Sequence, residues 1–157
     1  NRSFALGTWD DQEIEPMAEC SARVRAKRTL TDASHIQFVA EASFLDLDYS
    51  GDLRYVRACA GFGGFAAGSV NLEFIERFSA DMNRITGPRW RTWGSEQVMS
   101  NVVIANAKDA AVLPHPTYGD CMQSATDMAF IHFIGDCRFV GSKYARLASS
   151  TVRTLIP

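Results

Sequence analysis

The chain has 157 residues, 46% of them hydrophobic and 22% charged, the balance of an ordinary globular fold with enough length for one domain and a real core. A formal net charge of −2 gives no electrostatic case for nucleic acid or an anionic membrane. No apolar run approaches the roughly 18–20 residues that span a bilayer, and no signal-peptide pattern is read.

Cys20, Cys59, Cys121 and Cys137 are far apart and form no C-x-x-C, which excludes a zinc ribbon or thioredoxin motif. The even number permits two disulfides, but a chain of this size that is not Cys-dense is expected to carry reduced thiols in the cytoplasm. The chain opens Asn1-Arg2-Ser3-Phe4-Ala5-Leu6 without Met, and it is expected to be a segment of a longer protein.

Ser3 to Thr8 reads as a short strand. Asp10 or Asp11 is a candidate cap for a helix carrying a weak stripe of Met17, Cys20, Ala22 and Val24. The run Arg23, Arg25, Lys27, Arg28 reads as a solvated basic face. Thr31–Ser34 is turn-like, and His35 to Phe44 is a strand or the start of a short helix. Asp46 and Asp48 form a D-x-D. Such a pair can hold a divalent ion through hard oxygens, or it can lie in a solvated loop closed by a Ser50-Gly51 turn.

Leu53 to Val56 reads as a strand leading into Gly61, Gly63, Gly64 and Gly68, which are interleaved with Phe62 and Phe65. The glycines mean close backbone approach, either for packing or toward a substrate. They match neither G-x-G-x-x-G nor a P-loop. Ser69 is the expected cap of a helix from Val70 to Ile85. Its core stripe is Leu72, Ile75, Phe78, Met82 and Ile85, and Gly87-Pro88 ends it. A basic-aromatic loop, Arg89 to Gly94, precedes a second helix capped by Ser95. There Glu96 and Gln97 sit in the first turn, and Gln97 shares a face with Asn101 at four-residue spacing.

Ala111 to Leu113 reads as a short strand, Pro114 to Pro116 as a loop with an exposed His115, and Tyr118 to Asp127 as a polar linker. Met128 to Ile134 is a short β-branched and aromatic run, a buried strand that ends at Gly135. It carries His132, and Arg138 follows. A ligand-capable imidazole, a close backbone and a guanidinium suit a metal-bound diphosphate. The other reading of His132 is a packed core histidine. Tyr144, Leu147 and Val152 mark a C-terminal helix.

Taken in order, these motifs resemble the second half of nucleotide-sugar glycosyltransferases of the GT-A fold, the glycogenin- and galactosyltransferase-like group. Cys59-Ala60-Gly61 stands at the N-x-G place. Glu96-Gln97-Val98-Met99-Ser100-Asn101 is similar to D-Q-D-x-x-N, and Leu113-Pro114 matches a leucine-proline pair. His132, Gly135 and Arg138 follow the pattern H-x-x-G-x-x-K, with Phe139 and Val140 at its final proline and tryptophan places.

The resemblance implies an α/β fold, an incomplete GT-A-like mixed sheet flanked by helices, with residues 1–157 as a single domain. It implies transfer of a sugar from a nucleotide-sugar donor to a hydroxyl of a sugar or protein acceptor. Gln97 and Glu96 would be catalytic. Gly61, Gly63, Gly64, Asn101, Gly135 and Arg138 would bind substrate, and His132 would ligate Mn²⁺ or Mg²⁺. Cys59 replaces the asparagine, Val98 replaces a carboxylate, and Arg138 replaces lysine.

Asp48 lies only 13 residues before Gly61, too close for the family's metal-binding D-x-D. The nucleotide-binding half, with the metal carboxylates, is therefore expected to be missing and the fragment inactive alone. The alternative is a non-catalytic carbohydrate- or protein-binding domain on the same scaffold. A cysteine or histidine hydrolase is disfavoured, since no histidine has an evident partner and no G-x-S-x-G occurs.

Overall fold

The computed structural model describes residues 2–7, 13–122 and 128–156. Helices flank three small sheets, a mixed α/β architecture. Strand β1 (Phe4–Gly7) is followed by β2 (Glu15–Pro16), α1 (Met17–Lys27), α2 (Ile36–Ser43), β3 (Arg54–Tyr55) and β4 (Ala58–Gly64). Next come α3 (Leu72–Thr86), α4 (Ser95–Ala105), β5 (Ala111–Leu113), β6 (Tyr118–Asp120), β7 (Phe130–His132) and α5 (Lys143–Leu155). The main sheet runs β4-β1-β5 and is mixed: β1 is antiparallel to β4 and parallel to β5. β2 pairs antiparallel with β3, and β6 pairs parallel with β7.

The larger core joins α1, α2, α3 and α4, with Met17, Cys20, Ile36, Phe44, Tyr55, Phe78, Met82, Val98 and Val102 packed together. Phe44 stands edge-on to Tyr55 at 4.9 Å. A smaller cluster of Ala5, Val56, Ala58, Ile104 and Ala105 seats α4 against the main sheet.

Several elements depart from the sequence-based expectations. The basic face of α1 is not simply solvated. Arg23 pairs with Glu15, Arg25 bonds Asp46 at 2.8 Å, and Arg28 lies 3.7 Å from the centre of the Phe38 ring. Asp46 of the D-x-D is thereby engaged in an ion pair. The candidate caps Asp10 and Asp11 lie outside the described residues. His35 to Phe44 resolves to helix, since the His35 ring accepts from the Gln37 N–H and caps α2.

The cap of α3 is Asn71, whose side chain accepts from Phe74 N–H at 3.1 Å. Ser69 turns back onto the Ala66 carbonyl instead. Phe78 and Met82 are fully buried, but Leu72 at the helix start is 70% exposed and does not join the core stripe. Gly87, with φ +63°, ends α3 as expected. α4 begins at Ser95, but Gly94 holds the cap position and Glu96 accepts its N–H. Part of the expected polar linker is β6, and β7 is three residues long and half-buried. Cys121 and Cys137 form a disulfide while Cys20 and Cys59 are free, so the expectation of four reduced thiols does not hold. α5 forms where expected but leaves Tyr144, Val152 and Leu155 exposed.

Candidate functional site

One cleft of about 520 Å³ lies between β4, the start of α4 and the end of β7, and its lining includes Gly61, Glu96, Gln97, His132, Gly135 and Arg138. Three stretches separated in sequence thus converge on one concavity. Gln37, Arg57, Cys59 and the exposed Trp93 complete much of the wall.

His132 ends β7 and reaches the cleft because β4 holds that strand. Phe62 on β4 stacks on Phe130 with ring centres 4.0 Å apart. Cys121 N–H donates to the His132 carbonyl at 3.0 Å. Cys59 Sγ stands 3.1 Å from His132 Nδ1, and Gly61 N–H donates to the same sulfur at 3.4 Å. Gly61 is bare for a visible reason, since a Cβ there would lie 2.0 Å from His132 Cε1. Burial holds the imidazole below its ordinary value; Asp120 opposes this and Arg138 reinforces it. Burial pushes the Cys59 thiol up, the Gly61 N–H opposes that, and Asp120 adds to it. Both shifts favour neutral partners, a thiol beside an imidazole rather than a thiolate–imidazolium pair.

Gln97 is oriented by an amide chain rooted in the core. Its Oε1 accepts from Ala60 N–H at 3.3 Å, and its Nε2 donates to Gln37 Oε1 at 2.8 Å. Gln37 Nε2 in turn donates to Tyr55 Oη at 3.2 Å. Tyr55 is fully buried. Burial raises the pKa of the Glu41 carboxyl and Arg57 opposes that rise. Glu41 is wholly buried and receives both Arg57 Nε, at 2.8 Å, and Arg57 Nη2. That pairing keeps an otherwise costly buried charge compensated. Arg57 lines the cleft beyond it.

Arg138 is steadied by its own turn: its Nε donates to the Gly135 carbonyl at 2.9 Å. Gly135 has φ +51° and open space where a Cβ would be, so backbone conformation rather than crowding requires glycine there. Glu96 is exposed at the rim, and its Oε2 accepts from Gly94 N–H at 2.9 Å.

Three residues read as substrate contacts stand elsewhere. Asn101 is buried and donates to the Ala58 carbonyl at 2.9 Å, tying α4 to β4. A Cβ on Gly63 would meet Ile104 at 3.3 Å, and one on Gly64 would meet the Phe4 ring at 2.1 Å. All three serve packing in this geometry. Val98, at the place of an expected carboxylate, is in the core.

Sequence reasoning passed over Gln37 and Arg57. No local signal marks either, because only the packing of α2 and β4 brings them to the cleft. Cys59, at the place of an asparagine in the resembled motif, is in the structure the partner of His132.

Among the described residues, no group of three or more His, Cys, Asp or Glu side chains stands close enough to hold a metal ion. His132 offers one imidazole with a soft thiol beside it, whereas Mn²⁺ and Mg²⁺ prefer several hard oxygens. The described residues alone therefore do not fit such an ion. No described helix is long and apolar enough to cross a membrane. No family model, curated protein or solved structure significantly matches the chain.

Proposed function

We propose that this cleft binds the diphosphate and sugar of a nucleotide-sugar and that the chain belongs to a glycosyl-transfer machinery. The observation that carries the reading is the convergence of Gly61, Gln97, His132, Gly135 and Arg138 on one cleft, residues singled out from three separate motifs. A glycosyl transfer needs its leaving diphosphate stabilised and its sugar held against an acceptor hydroxyl.

The terminal nitrogens of Arg138 suit two phosphate oxygens, since a guanidinium offers a planar fork. The bare backbone at Gly135 lets those oxygens come close. Gln97 has one amide hydrogen left after its bonds to Ala60 and Gln37, and it would serve a sugar oxygen. Glu96, at the rim, would face the incoming acceptor. A divalent ion would need carboxylate ligands from outside the described residues, and no step is assigned to one.

Titrating the protein with UDP, GDP and inorganic pyrophosphate tests this, with and without Mn²⁺, by calorimetry and by shift in Tm. Binding that Arg138→Ala weakens roughly tenfold, the worth of one charge-assisted pair, supports it. No binding of any of the three in either condition would sink it. Binding of free oligosaccharides alone would favour the non-catalytic carbohydrate-binding alternative.

A further inference from the structure

We infer that Cys59 sets the tautomer of His132, so that the ring keeps its hydrogen on Nε2 and offers the cleft a donor for a ligand oxygen. This deepens the diphosphate reading and rests on it for the ligand class, but not for the tautomer.

The argument starts from the sulfur. Cys59 Sγ receives the Gly61 N–H at 3.4 Å and stands 3.1 Å from Nδ1. Sulfur is a weak acceptor, while a neutral imidazole nitrogen without a hydrogen is a good one. The thiol hydrogen therefore goes to Nδ1. In histidine the partner of one ring nitrogen decides the state of the other, so the ring hydrogen is left on Nε2.

The ring cannot easily swing out of this arrangement. Phe130, two residues earlier on β7, is stacked on Phe62 of β4, and the ring lies close over Gly61 where a Cβ would intrude. Nε2 has no hydrogen-bond partner among the described residues, and His132 lines the cleft beside Arg138. A donor N–H next to a guanidinium suits an anionic oxygen. It does not suit a metal ion, which needs a bare nitrogen lone pair. The residue that looks like a loss at the asparagine position thus gives the histidine a defined role: it recognises oxygen without a metal.

The test is a long-range ¹H–¹⁵N spectrum of the whole ¹⁵N-histidine-labelled chain near neutral pH, with EDTA. Only His35 and His115 need separating from His132, and the His132→Leu spectrum does so. The expected wild-type pattern is Nδ1 unprotonated and Nε2 protonated. Cys59→Ser, whose hydroxyl also donates, should retain it. Cys59→Asp, an acceptor-only group, should flip the hydrogen to Nδ1.

Added inorganic pyrophosphate should shift the Nε2–H resonance in EDTA, in wild type and in the uncharged Cys59→Ser alike. A wild-type ring protonated on Nδ1 overturns the inference whatever the variants do, so failure of a variant to fold does not protect it. An unflipped ring in a folded Cys59→Asp also overturns it. The expected tautomers without any response to pyrophosphate support the role of Cys59 and refute metal-free recognition of a diphosphate oxygen by His132; the diphosphate reading itself then stands or falls on the titrations with UDP and GDP, with and without Mn²⁺.

Discussion

Gly61→Ala gives the sharpest reading of the cleft, because its effect is confined to one contact. The new Cβ would stand 2.0, 2.3 and 2.6 Å from three atoms of the His132 ring, all inside contact distance, so the ring must move. Moving it breaks the 3.1 Å contact with Cys59, worth about 0.5–1.5 kcal/mol. It also forces χ1 or χ2 off its well at about 0.5–1.5 kcal/mol. Against this, alanine restricts the unfolded chain and returns about 0.4–1 kcal/mol.

The net loss is then about 1 kcal/mol, a fall in Tm of roughly 2–4 °C for a chain of this size. A drop that small has many causes, so the decisive measurement is a double-mutant cycle with His132→Ala in urea. Without the ring, Gly61→Ala should be neutral or slightly stabilising, giving a coupling of about 1–2 kcal/mol. Additivity of the two changes within about 0.5 kcal/mol would refute the seating of His132 on Gly61.

Arg57→Ala should cost about 3 kcal/mol at neutral pH by leaving the fully buried Glu41 carboxylate unpaired. Burial holds the Glu41 pKa above 4.5. Arg57 opposes that rise, so its loss raises the carboxyl further in the variant, and the cost should shrink as pH falls through the variant's higher value toward that of the wild type; a pH-independent loss in urea melts would contradict the pairing. Tyr49 donates to Asp81 at 2.8 Å, and burial with that bond pushes its pKa from 10.0 up to about 12. Its contribution is complete below the unfolded value and disappears as pH rises through the folded one. Wild type should thus lose its advantage over Tyr49→Phe, about 1–2 kcal/mol, between those two pH values, as read by alkaline denaturation. Asn71→Ala should destabilise α3 by about 1 kcal/mol and Ser69→Ala by clearly less; equal losses by thermal melting would return the cap to Ser69.

Much of the fold was legible where one local rule decides. The spacing of Phe78 and Met82 and the stop at Gly87 located α3. Its cap was misplaced because Ser69 and Asn71 are both good caps, and the choice depends on where the chain leaves β4. Tyr118–Asp120 was hidden because Tyr-Gly-Asp has no apolar alternation; only pairing with β7 makes it a strand. At the cleft, Gln97, His132 and Arg138 could be named from motif order, since each type is uncommon in its setting. Gly61, Gly63 and Gly64 could not be told apart by sequence. What separates them is whether His132, Ile104 or Phe4 sits opposite each one, and that is tertiary information. The same holds for Asn101: four-residue spacing puts it on the Gln97 side of α4, but depth along the helix carries it past the cleft to the Ala58 carbonyl.

The chain of amides from Tyr55 through Gln37 and Gln97 to Ala60 makes the cleft wall an extension of the interior rather than a decoration on it. Its root, Tyr55, packs edge-on against Phe44 in the largest hydrophobic cluster. A change in that cluster that moves the phenol therefore acts on Gln97 through only two hydrogen bonds. Aromatic residues that do not line the cleft are thus tied to its wall through the interior.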